Sequence, residues 1–142
     1  MPSDGAIVLY DRDCGFCRWS LAQVLAWDRA KRLRPVAIQS EEGQRLLAGV
    51  PEGDRLASWH LVEPDGEVRS AAAGFPGLFG RLPGGAPVAA LTKLLQGPSQ
   101  VGYRALVANR TRLGRRISHA RRDRATRAID AHERAARMAA RD

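Results

Sequence analysis

The 142-residue sequence lacks a basic segment leading into a short apolar stretch at its start, and it has no run approaching the ~20 apolar residues of a membrane-spanning helix. On these absences a soluble, cytoplasmic chain is expected. It has only two cysteines, and in a reducing compartment a structural disulfide between them is not expected. There is no second Cys-x-x-Cys, and His60, His119 and His132 are scattered, so the four ligands of a structural zinc site are not assembled. Internal repeats are missing, and the Gly84–Pro87 stretch "GGAP" lacks the strand–loop–lysine setting of a phosphate loop. No cofactor is expected. The length suits one ordinary domain that can bury a core without covalent staples.

Charge is also missing over most of the chain. Residues 1–102 balance eleven Lys and Arg against eleven Asp and Glu, whereas residues 103–142 carry twelve Arg against four acids, which accounts for the whole formal charge of +8. The excess cation is a property of the C-terminal end and says little about the rest.

What is present begins with Ala6–Tyr10, a continuous apolar run of strand formers that reads as a strand buried on both faces. From Cys14 the pattern turns helical: Cys17, Leu21, Val24 and Leu25 form an apolar stripe, and Asp28 falls at the same spacing where the polar stretch begins. Arg34–Gln39 reads as a second strand with Pro35 confined to its start, followed by a short helix through Leu47 that Ser40 caps. The stretch "SWHLVEPDGEVRSA", residues 58–71, places Pro-Asp-Gly between two strand-like runs and predicts a hairpin. A Gly- and Pro-rich stretch through Pro87 predicts short helical turns, then a helix over Ala89–Gln96, and a last helix follows from the spacing of Tyr103, Leu106, Val107, Arg110, Leu113 and Ile117. The order β-α-β-α-β-β-α predicts an α/β, thioredoxin-like arrangement: a mixed sheet of about four strands with helices on its faces. This domain is expected to span residues 1–117, with an Arg- and Ala-rich extension, helical or partly disordered, over 118–142.

Both cysteines lie in "DRDCGFC", Asp11–Cys17, where the first strand gives way to the first helix. Thiol–disulfide exchange requires a second thiol within reach of the mixed disulfide formed by the first, and two intervening residues at a helix start provide it. Cys14, nearer the helix start, is expected to be the thiolate nucleophile; Cys17, one turn in on the apolar stripe, is the resolving thiol. Arg12 and Arg18 favour a thiolate, while Asp11 and Asp13 oppose it. Asp13 reads equally as the helix N-cap or as a group that tunes the thiol. Asp11, at the strand exit, is placed to exchange a proton with Cys17 during resolution.

The motif Asp11-x-x-Cys14-x-x-Cys17 after an apolar strand resembles the DCC family of thioredoxin-like proteins. The segment "AWDRAKRLRPVAIQS", the "PDGEVRSAAAG" hairpin and the stretch Tyr103–Arg110 share the likeness, which runs from about Ala6 to Ile117. The resemblance implies a thiol–disulfide oxidoreductase acting on a protein or low-molecular-weight disulfide or thiol. Position 12, often Gly in that family, is Arg12 here, and Ala57-Ser58-Trp59 has no proline where thioredoxins themselves place one beside the cysteines.

Rival readings are blander. Both cysteines could serve as small buried hydrophobes, His60 as an ordinary hairpin residue, and Trp19 and Trp27 as packing. The second functional reading is a non-catalytic thioredoxin-like binding module whose basic end contacts an acidic partner. Ser118 onward has good helix composition and few large apolar groups, so a solvated helix or frayed end is expected, separable without harm to the fold. Weak contact with nucleic acid or anionic membrane is the alternative, although no nucleic-acid fold signature accompanies the arginines.

Overall fold

The computed structural model describes residues 5–141; residues 1–4, the chain start discussed above, and Asp142 lie outside them. Four strands form one mixed sheet. β1 (Ala6–Tyr10) runs parallel to β2 (Leu33–Ala37) and antiparallel to β3 (His60–Val62), which pairs with β4 (Val68–Ser70) to give the order β2-β1-β3-β4. The strand exit that carries Asp11 thus leaves a central strand. Helix α1 (Gly15–Trp27) makes the crossover between the two parallel strands. This α/β arrangement is consistent with a thioredoxin-like fold.

β1 has apolar residues on both faces, and each face has its own core. On one side Ala6 and Val8 meet Leu21 and Leu25 of α1, Leu78 of α3 (Phe75–Gly80) and Ile129 of α7 (His119–Arg141). On the other, Leu9 packs with Val36, Ile38, Val62 and Leu47, the last just beyond α2 (Glu41–Leu46). The expected Ser40 cap of α2 is present, its hydroxyl accepting from Gly43 N–H at 3.0 Å. The hairpin turns as expected through Pro64-Asp65-Gly66, with Gly66 at φ +91°. Pro35, by contrast, lies in the middle of β2 rather than at its start; β2 is an edge strand, where a missing N–H is tolerated.

The C-terminal half is more finely divided than its periodicity suggests. α4 (Ala86–Leu94) is followed directly by α5 (Gln96–Ala108) and α6 (Arg110–Arg115).

The largest correction concerns the basic end. The segment after Ser118 is helical, as composition predicts, but it is not a solvated appendage. Ala125, Ile129, His132 and Ala136, at spacings of four and three, form a buried stripe that packs α7 against α1 and β2. Small alanines let the helices approach closely, so a stripe with one large apolar side chain still closes the core. Its polar member is paired: His132 Nε2 donates to Asp28 Oδ2 at 2.9 Å. Asp28, fully buried at the end of α1, also accepts from the main-chain N–H groups of Arg32 (3.0 Å) and Leu33 (2.8 Å). Burial opposes the Asp28 charge, but the His132 bond and the two amides outweigh it and hold its pKa below the usual carboxylate value. No helix among the described residues is long and apolar enough to cross a membrane.

Candidate active site

Cys14 is the N-cap of α1. Its backbone is extended, φ −96° and ψ 111°, and its Sγ accepts the N–H of Cys17 at 3.2 Å. Asp13 is therefore not the cap; it sits one residue earlier and is exposed, its own N–H donating to Asp11 Oδ1 at 3.0 Å. The substitution of sulfur for a carboxylate at the cap has a chemical consequence. The amide that would have satisfied an Asp side chain instead meets Cys14 and stabilises its anion.

Both thiols are free and partly buried. The hydrogen bond from the Cys17 side chain is the largest influence on Cys14; together with the Cys17 amide and the Arg110 charge it overcomes burial and the nearby Asp11, bringing the pKa to about 6. The same bond works in reverse on Cys17, which is held strongly protonated by its role as donor, by burial and by the neighbouring Cys14 charge. The helix start thus separates two chemically identical side chains into an anion and its proton donor.

Asp11 lies between these thiols and the end of β2. Its Oδ1 accepts from Gln39 Nε2 at 2.6 Å, and Gln39 Oε1 in turn accepts the Arg12 N–H at 3.1 Å. Its Oδ2 lies 4.0 Å from Arg110 Nη1. The cation facing the cysteines is Arg110, rather than either arginine beside them in sequence. Arg12 is exposed, while Arg18 donates to Thr126 Oγ1 of α7 at 2.8 Å. Tyr103 also reaches the site, its Oη accepting the Trp59 N–H at 3.1 Å. Sequence reasoning missed the roles of Gln39, Tyr103 and Arg110, although the last two bound the C-terminal segment of the family likeness.

Two further contacts lock the residues between the cysteines. A Cβ on Gly15 would lie 3.0 Å from Arg122 Nε, because that side chain crosses the start of α1 to donate to Gly114 O at 2.5 Å. Gly114 itself sits under the Phe16 amide, its would-be Cβ 3.5 Å from the nitrogen. The Cys-Gly-Phe-Cys turn is clasped from outside by α6 and α7.

Beside the pair lies a cavity of about 180 Å³. Asp11, Cys17 and Arg110 line it together with apolar and aromatic groups that include Phe16, Trp59, Phe75 and Val107. Trp59 and Phe75 stack with ring centroids 5.8 Å apart, and Tyr103 meets Phe75 edge-on at 6.0 Å.

His60 is buried in β3, with Nε2 2.8 Å from Arg55 O and Nδ1 2.6 Å from Ser70 Oγ. A carbonyl can only accept, so Nε2 carries the proton. Burial lowers the His60 pKa, outweighing the Arg55 bond, and the ring is a neutral core link. Trp27 packs on Phe79 and donates Nε1 to Pro83 O at 2.7 Å. Among the described residues no cluster of three or more His, Cys, Asp and Glu side chains could hold a metal ion.

Residues 8–116 match the family model described as DCC1-like thiol-disulfide oxidoreductase. No curated protein and no solved structure matches the chain.

Proposed function

The chain belongs to the DCC1-like thiol-disulfide oxidoreductase family, and we propose that it exchanges disulfides through Cys14 as nucleophile and Cys17 as resolving thiol, with Asp11 handling the Cys17 proton. The observation that carries this reading is the capping bond: Cys17 donates to Cys14, so one thiol is held as an anion near neutral pH while the other keeps its proton. Cys14 attacks a substrate disulfide, forming a mixed disulfide and expelling a thiolate. The Cys14 charge that held Cys17 protonated is then gone. Cys17 can release its proton, and Asp11, which lines the same cavity and opposes negative charge on both sulfurs, is the group placed to receive it. Attack by Cys17 on the Cys14 sulfur closes the intramolecular disulfide and frees the second product. The substrate is a protein or low-molecular-weight disulfide, and the reaction needs no added cofactor.

The test is the pH profile of iodoacetamide alkylation, followed residue by residue. Cys14 should react first, with a midpoint near 6. Cys14→Ser should abolish exchange, and Cys17→Ser should attack but stall as a mixed disulfide. Faster alkylation of Cys17, or exchange surviving in Cys14→Ser, overturns the assignment. The rival binding-module reading requires a pair that never oxidises; titration against glutathione separates the two.

A further inference from the structure

The cavity beside Cys17 is the feature that the exchange chemistry leaves unused, and from it we infer the substrate class: a low-molecular-weight disulfide carrying an aromatic or branched-alkyl group next to its sulfur. The inference rests on the dithiol reading above and adds to it what the site selects.

Three observations point the same way. The first is size and chemistry. A cavity of about 180 Å³ walled by Phe16, Trp59, Phe75, Leu78 and Val107 matches one aromatic ring or a short branched chain, since an apolar cavity of ~150 Å³ is known to take benzene. Cys17 lines this wall, and Cys14 caps onto Cys17, so the group borne by a sulfur joined to Cys14 has the cavity as its neighbour.

The second concerns peptides. An extended polypeptide is held beside a sheet by free main-chain donors and acceptors. The chain entering β3 lines the cavity through Ser58 and Trp59, and both main-chain groups of Trp59 are committed internally. Trp59 N–H goes to Tyr103 Oη at 3.1 Å, Trp59 O accepts Ala71 N–H at 3.2 Å, and Leu56 O accepts Arg110 Nη1 at 3.3 Å. A peptide pairing along this chain would have to displace the internal bonds of Trp59, whereas a small molecule needs no such pairing.

The third is charge. Arg110 is the cation at the cavity, and it already faces Asp11 Oδ2 at 4.0 Å besides donating to Leu56 O. A carboxylate-bearing disulfide such as oxidised glutathione would bring a second negative charge to a guanidinium that already faces Asp11, and like charges oppose its entry.

The electron balance is that of ordinary exchange. The Cys14 thiolate attacks one sulfur of R–S–S–R, forming Cys14–S–S–R and expelling RS⁻. Cys17 then attacks the Cys14 sulfur, expelling the second RS⁻, and its proton ends on one of the two released thiolates. Two electrons pass from the cysteine pair to the disulfide, which becomes RS⁻ and RSH.

The experiment measures stopped-flow oxidation of the reduced full-length protein by dibenzyl disulfide, by oxidised glutathione and by a disulfide-linked peptide dimer. Each rate is divided by that of the same disulfide with free mercaptoethanol, to remove intrinsic reactivity. Dibenzyl disulfide should lead by tenfold or more. Val107→Phe and Ser20→Leu, which fill the cavity from two different helices, should bring its normalised rate down to that of glutathione, while iodoacetamide alkylation of Cys14 keeps its midpoint and so reports an intact site. Equal normalised rates in the unsubstituted protein overturn this inference and leave the dithiol reading standing, as does a preference that survives both filling substitutions. A faster peptide dimer overturns it in favour of a protein substrate. Failure of all three disulfides to oxidise the pair instead brings down the dithiol reading itself.

Discussion

Replacing His132 by Ala tests the finding that the basic end belongs to the core. The substitution removes the Nε2–H that Asp28 Oδ2 accepts at 2.9 Å, a hydrogen bond to a buried charge worth about 1.5–3 kcal/mol. Asp28 keeps the amides of Arg32 and Leu33, so the loss stays below the ~3–5 kcal/mol expected when a buried charge is orphaned. At about 3 to 4 °C per kcal/mol for a chain of this length, the melting temperature should fall by roughly 5–12 °C at neutral pH. The sign with pH follows from the carboxylate. Asp28 has a lowered folded pKa, so its stabilisation is fully present above the ordinary unfolded value of ~3.9 and is lost as pH falls through the folded one. The gap between the two proteins, followed by circular dichroism melts, should therefore narrow towards pH ~2.5. His132→Gln, which can still donate to Asp28, should lose less than His132→Ala. A His132→Ala protein melting within about 1 °C of the parent, or a gap that does not change with pH, would refute the reasoning.

Three other perturbations bear on the site. Deletion of residues 118–142 should leave a protein that is insoluble or melts far lower, because it uncovers the core around Leu25 and Leu33 and strips Asp28 of His132; a truncation with unchanged melting would restore the reading of a separable end. Arg110→Ala removes a charge that lowers the Cys14 pKa, so the alkylation midpoint should move upward and the rate at neutral pH should drop; an unmoved midpoint would place the stabilisation entirely in the α1 cap. Asp11→Asn has opposite effects on the two steps. Cys14 loses a neighbour that raises its pKa, so its midpoint should shift down, while resolution of a trapped mixed disulfide should slow; unchanged resolution would remove Asp11 from proton transfer.

The local devices of this protein are legible in its residues because each depends on neighbours in the chain. An apolar run, a Cys-x-x-Cys at the following helix start, a Ser cap and a Pro-Asp-Gly turn declare themselves within a few positions, and β1, α1, α2 and the hairpin form where they indicate. The placement of Cys14 at the helix start and of Cys17 within its first turn was legible for the same reason. The two readings of Asp13 stay level locally because Asp13 and Cys14 both stand at the helix start, and the folded chain shows Cys14 taking the capping amide. Pro35 was misplaced because nothing local says that β2 lies at the sheet edge.

Tertiary structure decided everything that depends on residues distant in sequence. Arg110, which tunes the thiols, comes from the far end of the chain, and Gln39, which positions Asp11, comes from the end of β2. The composition of residues 118–142 specified a helix but not its burial. Burial followed from shape: Ala125, Ala136 and Ile129 fit closely against the sheet and α1, and His132 reaches the buried Asp28 carboxylate. Helix propensity is a property of the segment itself, whereas what the helix covers depends on a partner surface that exists only once the rest of the chain has folded.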